Sequence, residues 1–419
     1  MKKKVSNSDR ARIWNVDVYA DMVKECPKDL LSEKGSFSYF GTSLPLLLAE
    51  KRRKQYNIMQ GEDNTVAVEN DEYFINRAKK RMPDADTNIF SSIDYEKFIK
   101  DNNNMSKWGI RNVPYNDESS NNGTPLWHRI IEADNRGYIM DWQADVLPTS
   151  LQRGSNEDIR KSYLNDYGLY KIKTIPFDAF SEYGADVETA MYFCKKGYDG
   201  NIEIVTDIET YSYDFRKEGF IVTPDTKVEL EFILSCLRKD SYDFNSVKSI
   251  NPLTGKSLKV NSKKSEFFSE NKDSTFKYPL LCKMQKDNNV LGYTSDIIDP
   301  DWDKPRLVIP NYTGGWDSGN RHLGVAKYIE PGIQLPKNSY KYKICVEQEA
   351  LMHSKYLMSM PVKYLQYVWK VQRTNDAPQL KVIPKLTDFT LETDDDILEF
   401  LGGTDIKQEI ENGYARKTR

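Results

Sequence analysis

The chain has 419 residues, 39% of them hydrophobic and 29% charged, a length that fits two or three domains with real cores rather than one ordinary domain. Lys and Arg number 60 against 63 Asp and Glu, and the formal net charge is -3. Global charge of that size excludes long-range steering toward nucleic acid, so a binder of nucleic acid needs a local basic surface.

The N-terminus reads MKKKVSNSDRARIW. No apolar stretch follows its lysines, so it is not read as a signal peptide. No run of 18 apolar residues occurs, and no membrane span is expected. Residues 15–25 have helical apolar spacing and 35–40 strand character. A helix is expected over 43–55, with Ser43 as N-cap and Pro45 in the first turn. Short strands are expected at 64–69 and 87–92, with a helix at 71–81 between them. A fourth strand should end just before Asn112, a helix should occupy 125–135, and GYIMDW (137–142) reads as another strand. Strand-helix alternation of this kind argues for a parallel α/β sheet.

The second half changes style, and a boundary is placed near 200. Residues 186–223 carry Tyr, Phe, Val and Ile in short bursts, and 238–275 are polar and weakly patterned. Residues 305–343 mix short strands with Gly and Pro turns, and 346–370 read as one long amphipathic helix. The five cysteines (Cys26, Cys194, Cys236, Cys282, Cys345) are far apart and odd in number, and His128, His322 and His353 do not cluster with them. Neither a disulfide framework nor a zinc site is expected, and the reading is a soluble protein of a reducing cytoplasm. No GxSxG elbow and no GxxxxGK[ST] loop is present, so neither a serine hydrolase nor a P-loop enzyme is supported.

The sharpest local feature is Arg111-Asn112-Val113-Pro114-Tyr115-Asn116-Asp117. It falls at the end of the expected fourth strand, where open α/β sheets bind ligands. The alternative is a surface turn, because Asn and Pro are turn formers. The motif resembles the (Asn/Asp/Ser)-Pro-Pro-(Tyr/Phe) of adenine-specific, amino-group DNA methyltransferases of the phage and restriction-modification type. The following PLWHRIIEADNRGYIMDW, DIRKSYLNDYGLYKIKTI and DVETAMYFCKKGYDGNIEIVTD, and KPRLVIPN, YIEPGIQLPKNSYKYKI and IPKLTDFTLETDDDILEFLG further on, resemble that group in order from about 14 to 410. The resemblance implies a class I, Rossmann-like methyltransferase sheet in 1–200 and a mixed α+β target-recognition region in 201–419. It implies transfer of a methyl group from S-adenosylmethionine to the exocyclic amino group of a flipped adenine. Asn112 would supply a side-chain acceptor, Val113 a backbone carbonyl and Pro114 stiffness, and Tyr115 would stack on the base. Valine in the second place is similar instead to the rRNA adenine dimethyltransferases, which keeps an RNA substrate in view.

On the cofactor side, VAVENDEYFINRAKKRMPDA (66–85) resembles the family's second strand and acid. Glu69 is the position expected to bind the ribose hydroxyls, or else a solvated carboxylate at a helix start. Asp94 is the candidate for the cofactor's adenine amino group, or else a surface acid. Gly41 stands for one glycine of the Asp-Pro-x-x-Gly-x-Gly loop. The acid and the second glycine are missing, and Tyr39 and Phe40 fill the space. A bulky loop where the backbone must approach the cofactor weakens that site. The rival reading is therefore a catalytically silent homologue that binds DNA or a partner subunit. No metal is implied. The partners implied are double-stranded DNA and a second methyltransferase subunit or a second copy of the chain, in a bacterial or phage-infected cell.

Lysine and tyrosine interleave at 337–343 (KNSYKYK) and 361–373 (PVKYLQYVWKVQR), mixtures that suit phosphate contact with stacking. In the second segment Tyr364, Leu365, Val368 and Trp369 also read as the buried stripe of a helix. Gly314, Gly315 and Gly319 read as turns, in a loop whose Trp316, Arg321 and His322 could touch DNA.

Overall fold

The computed structural model describes residues 16–33, 35–38, 51–52, 54–57, 65–68, 76, 79–80, 87–90, 107–111, 140–153, 157–176, 179, 188–247, 267–285, 288–311, 323–337, 339–369, 375 and 377–417. The chain divides into two compact units, Met1–Thr226 and Lys227–Arg419.

The first unit is built on a nine-stranded sheet. Its strands are β1 (Gly35–Ser38), β2 (Thr65–Val68), β3 (Thr87–Phe90), β4 (Trp108–Arg111), β5 (Trp142–Pro148), β6 (Leu169–Thr174), β7 (Thr189–Lys195), β8 (Ile202–Val205) and β9 (Thr210–Tyr213), in the order β3-β2-β1-β4-β5-β7-β6-β8-β9. The first five pair in parallel. Strand β7 then inserts antiparallel between β5 and β6. The four strands expected at 35–40, 64–69, 87–92 and before Asn112 are present within a residue or two of their expected limits. Residues 51, 52, 54 and 55, and 76, 79 and 80, are helical where helices were expected. The helix expected at 125–135 lies outside the described residues.

Helix α1 (Val16–Glu25) covers one face of the sheet. Its apolar residues recur one turn apart, so Val18, Tyr19, Met22 and Val23 share a stripe with Cys26 just beyond. That stripe buries against Trp108 and Ile110 of β4, Trp142, Ala144 and Val146 of β5, and Met191 and Phe193 of β7. Asp17 in its first turn and Lys24 in its last suit the helix dipole. Two lysines of β6 reach the same helix: Lys171 pairs with Glu25 and Lys173 with Asp21.

Three expectations are corrected here. Of the strand expected at 137–142, residues 137–139 lie outside the described residues, 140 and 141 are not strand, and β5 runs from Trp142 to Pro148. All seven of its residues are buried between β4 and β7, and Gln143 and Asp145 interrupt its apolar pattern. The first unit extends past 200 because β8 and β9 hydrogen-bond onto the edge of the same sheet, and Ile221 N–H closes back on the Gln152 carbonyl. The helix expected over 346–370 is two helices.

Those two helices belong to the second unit, with α2 (Glu157–Lys161) already spent in the first and α3 (Lys227–Leu237) opening the second. They are α4 (Glu347–Met358) and α5 (Met360–Trp369), separated by Ser359 in an extended conformation. Pro361 explains the break: it has no N–H to donate, and its ring would meet the carbonyl of Leu357. A four-stranded sheet orders β10 (Asn245–Ser246), β16 (Tyr340–Ile344), β14 (Arg306–Pro310) and β15 (Lys327–Ile329). A three-stranded sheet orders β11 (Phe268–Ser269), β13 (Asn289–Thr294) and β12 (Tyr278–Met284). A buried Arg306–Asp299 pair at 2.6 Å braces the first of these, and Asp299 also accepts from the Leu335 N–H. Helix α7 (Asp394–Leu401), which follows the short α6 (Ala377–Leu380), opens with a reciprocal capping box between Thr393 and Asp396. Helix α8 (Lys407–Lys417) ends the described chain.

Candidate active site

In a parallel sheet the carboxyl ends of the strands form one edge, and register decides which chain exits lie level there. Ser38, the last residue of β1, stands opposite Val68 of β2 and Arg111 of β4. Val68 stands opposite Phe90, and Arg111 opposite Asp145 of β5. The chain therefore leaves β1, β2, β3 and β4 at the same level. Glu69 follows directly after β2 and Asn112 directly after β4.

The spacing of β1 and β4 depends on Gly35. A Cβ at this position would lie 2.0 Å from two atoms of the Trp108 indole. Trp108 is fully buried, and its Nε1 donates to the Glu33 carbonyl at 3.2 Å.

Side chains of β4 and β5 alternate between the α1 face and the opposite face. Trp108, Ile110, Trp142 and Ala144 face α1. By the alternation of a strand, Arg111, Gln143 and Asp145 share the other face. There they form a buried polar cluster that composition did not announce. Arg111 and Asp145 are each 1% exposed. Arg111 donates to Asp145 through Nε (2.5 Å) and Nη2 (3.1 Å). Gln143 Nε2 donates to Asp145 Oδ2 at 3.1 Å, and the Tyr163 hydroxyl donates to the same oxygen at 2.7 Å. Tyr163 comes from the π-helical turn Ser162–Asp166 that continues α2, and its ring meets Tyr167 and Tyr192 edge-on. Burial, and after it the charge of Asp145, push the Tyr163 hydroxyl well above its ordinary pKa, so it stays a donor. Burial holds the neighbouring Cys194 as a neutral thiol.

Three of the four hydrogen bonds converge on Asp145 Oδ2 and one, from Arg111 Nε, reaches Oδ1. The cluster ties β4, β5 and the turn that carries Tyr163 together.

No family model matches the chain, and no curated protein does. Solved structures do. The type IIL restriction-modification enzyme MmeI, solved in complex with DNA, matches over 87% of this chain and 65% of its own, at 10% identity and a TM-score of 0.51. The M protein of the type I restriction enzyme EcoKI matches over 46% of this chain and 48% of its own, at 16% identity and a TM-score of 0.37. The type I methyltransferase subunit of Streptococcus thermophilus matches over 53% and 51%, at 14% identity and a TM-score of 0.37. The chain spans less than two thirds of the length of each of these proteins.

The chain has a class I methyltransferase fold. On this fold the expected site residues Asn112, Val113, Pro114, Tyr115, Gly41, Glu69 and Asp94 lie outside the described residues, as do Trp316, Arg321 and His322. Three of them still have a placed neighbour: Asn112 adjoins Arg111, Glu69 adjoins Val68, and Gly41 follows β1 by three residues. The methyltransferase fold implies S-adenosylmethionine. Glu69 follows β2 directly in sequence, and a carboxylate is an acceptor of the kind that the two hydroxyls of a vicinal diol need.

Sequence reasoning missed Arg111, Gln143, Asp145 and Tyr163. The available signal was an arginine closing an apolar strand immediately before the singled-out motif, and an acid inside an equally apolar strand. The tyrosines of KNSYKYK are corrected as well. Tyr340 and Tyr342 are buried in the core of the second unit, Tyr340 accepting from the Met284 N–H and Tyr342 donating to Asp301. They are not stacking platforms. Tyr364, Leu365, Val368 and Trp369 are all buried, as the helix-stripe reading holds. Among the described residues no group of His, Cys, Asp and Glu can hold a metal, and no helix is long and apolar enough to cross a membrane.

Proposed function

We propose that the chain is a DNA methyltransferase that acts on the exocyclic amino group of adenine. The observation that carries the reading is the position of Asn112-Val113-Pro114-Tyr115: it begins directly at the carboxyl end of β4, in a class I methyltransferase sheet, level with the exits of β1 and β2. The restriction-modification enzymes among the structural matches, one of them solved on DNA, support DNA as the substrate.

An aromatic amine is a poor nucleophile because its lone pair is delocalised into the ring. In the proposed reaction the Asn112 side-chain oxygen and the Val113 carbonyl accept the two amino hydrogens and localise that pair. Tyr115 stacks on the adenine turned out of the duplex, and Pro114 keeps both acceptors preset. Glu69 holds the ribose hydroxyls of S-adenosylmethionine, with Asp94 on its adenine amino group and Gly41 beside its amino-acid end. The bound cofactor supplies an activated methyl group. The second unit reads the duplex, alone or with a partner subunit or a second copy.

A second reading is favoured by Tyr39 and Phe40, which follow β1 directly in sequence, where small residues would admit a cofactor. On it the chain binds DNA or pairs with an active subunit without using S-adenosylmethionine. Incubation with methyl-tritiated S-adenosylmethionine and unmodified DNA, followed by nucleoside analysis, separates the two. Label in N6-methyladenine that disappears in Asn112→Ala supports the enzyme. Label that appears only in a parallel incubation with RNA would redirect the substrate, and no label in either would leave the silent homologue.

A further inference from the structure

We infer that the buried Arg111–Asp145 pair, steadied by Tyr163 and Gln143, is the device that positions Asn112 for methyl transfer. The inference rests on the proposed methyltransferase reading for its chemistry, but not for its geometry.

Arg111 is the last residue of β4, and one peptide bond joins it to Asn112. Its guanidinium meets Asp145 through two nitrogens, across the strand pair where the two residues stand opposite each other. A two-point contact between planar groups fixes orientation as well as distance. It therefore ties the last residue of β4 to β5. Gln143 and Tyr163 both donate to Asp145 Oδ2 and so hold the carboxylate from two further sides. Apolar residues would fill the interior of two central strands at no desolvation cost, and a buried ion pair is weak as a pure stabiliser. What it adds at this place is direction. A side-chain acceptor must be held to within ~0.5 Å of its productive position. A misplacement of about 1 Å can cost on the order of 100-fold in rate.

Arg111 and Asp145 are positioning residues on this account, not catalytic ones. Tyr163→Phe is the informative variant, because it removes one hydrogen bond to Asp145 and keeps the ring. Arg111→Lys keeps the charge and removes the two-point contact. Both are tested in the full chain by hydrogen exchange read by mass spectrometry and by methyl transfer. The expected result is faster exchange in residues 112–117, with β2 and β7 as protected as in the unaltered protein. In the transfer assay kcat falls roughly tenfold or more, while KM for DNA and the dissociation constant of S-adenosylmethionine stay within about twofold of the unaltered protein. A merely structural pair would instead loosen β4, β5 and β7 together and shift affinity along with rate. That pattern overturns the inference. So does unchanged exchange at 112–117 in both variants, or exchange there that is already complete at the first time point in the unaltered protein. If the unaltered protein transfers no methyl group, the methyltransferase reading fails, and the exchange data still decide whether the pair orders this segment.

Discussion

Replacing Gly35 by alanine tests how β1 and β4 are held together. The added Cβ would sit 2.0 Å from Cε2 and Cζ2 of Trp108 and 2.6 Å from Cδ2. The indole is fully buried and tied to the Glu33 carbonyl. Either the strands part or the ring moves and gives up that bond. Overpacking of this kind costs about 1–3 kcal/mol, and a lost hydrogen bond adds about 1 kcal/mol. A total of roughly 2–4 kcal/mol in a unit of this size lowers the melting temperature by about 4–16 °C. Gly197→Ala is the matched control: its φ is +77° but nothing lies within 4 Å of the added atom, so only the left-handed backbone is penalised, by about 1–2 kcal/mol. Thermal unfolding followed by tryptophan fluorescence and circular dichroism reads both. A Gly35→Ala protein that melts within a degree of the parent, or no lower than Gly197→Ala, would refute the close strand contact.

Other predictions concern charge, protons and thiols. Asp145→Ala removes the carboxylate that accepts twice from the buried Arg111 guanidinium and should destabilise by about 3–5 kcal/mol; the Arg111→Met/Asp145→Leu double variant should recover most of this in urea unfolding. His353 is buried against the Tyr242 hydroxyl, and burial, then Lys343 and Lys385, depress its pKa from 6.5 to about 4. A depressed histidine favours the neutral form in the fold, so its stabilisation is complete above the unfolded pKa and is lost as pH falls from 6.5 toward 4. Unfolding midpoints at pH 7 and pH 5 should differ more in the parent than in His353→Gln. Cys282 is exposed and the other four cysteines are buried, with burial pushing Cys236 up to about 12. A disulfide reagent should therefore titrate Cys282 first, and the other four only on unfolding.

The parallel half of the sheet was legible because its short strands are bounded by turn formers and by helices of clear 3.6-residue period. Val66 to Val68 and Trp108 to Ile110 are short apolar runs of strand length. Strand β5 was misplaced because Gln143 and Asp145 break its apolar run. The polarity of Asp145 is satisfied by residues 34 positions upstream and 18 downstream, a pairing that no local window contains. The long helix was misread because the apolar stripe continues across Ser359, and only Pro361 marks the break. Composition near 200 does change, yet β8 and β9 still belong to the sheet, since an edge partner is chosen by backbone bonding rather than by residue type. In β16 the alternation of Tyr and Lys was visible, but which face was inward depends on the core that Tyr340 and Tyr342 enter. At the site, the motif at 112–115 was found by its chemistry. The pair that precedes it was not, because an arginine and an aspartate in two separate strands become partners only through the register of the sheet.

The central claim is most directly tested by isothermal titration of S-adenosylmethionine and S-adenosylhomocysteine into the purified chain, alone and with an adenine-containing duplex, alongside Glu69→Ala. The account predicts micromolar binding in at least one setting, weakened in the variant. Absence of binding in both settings would contradict it, and the chain would then be a methyltransferase fold that works without its cofactor.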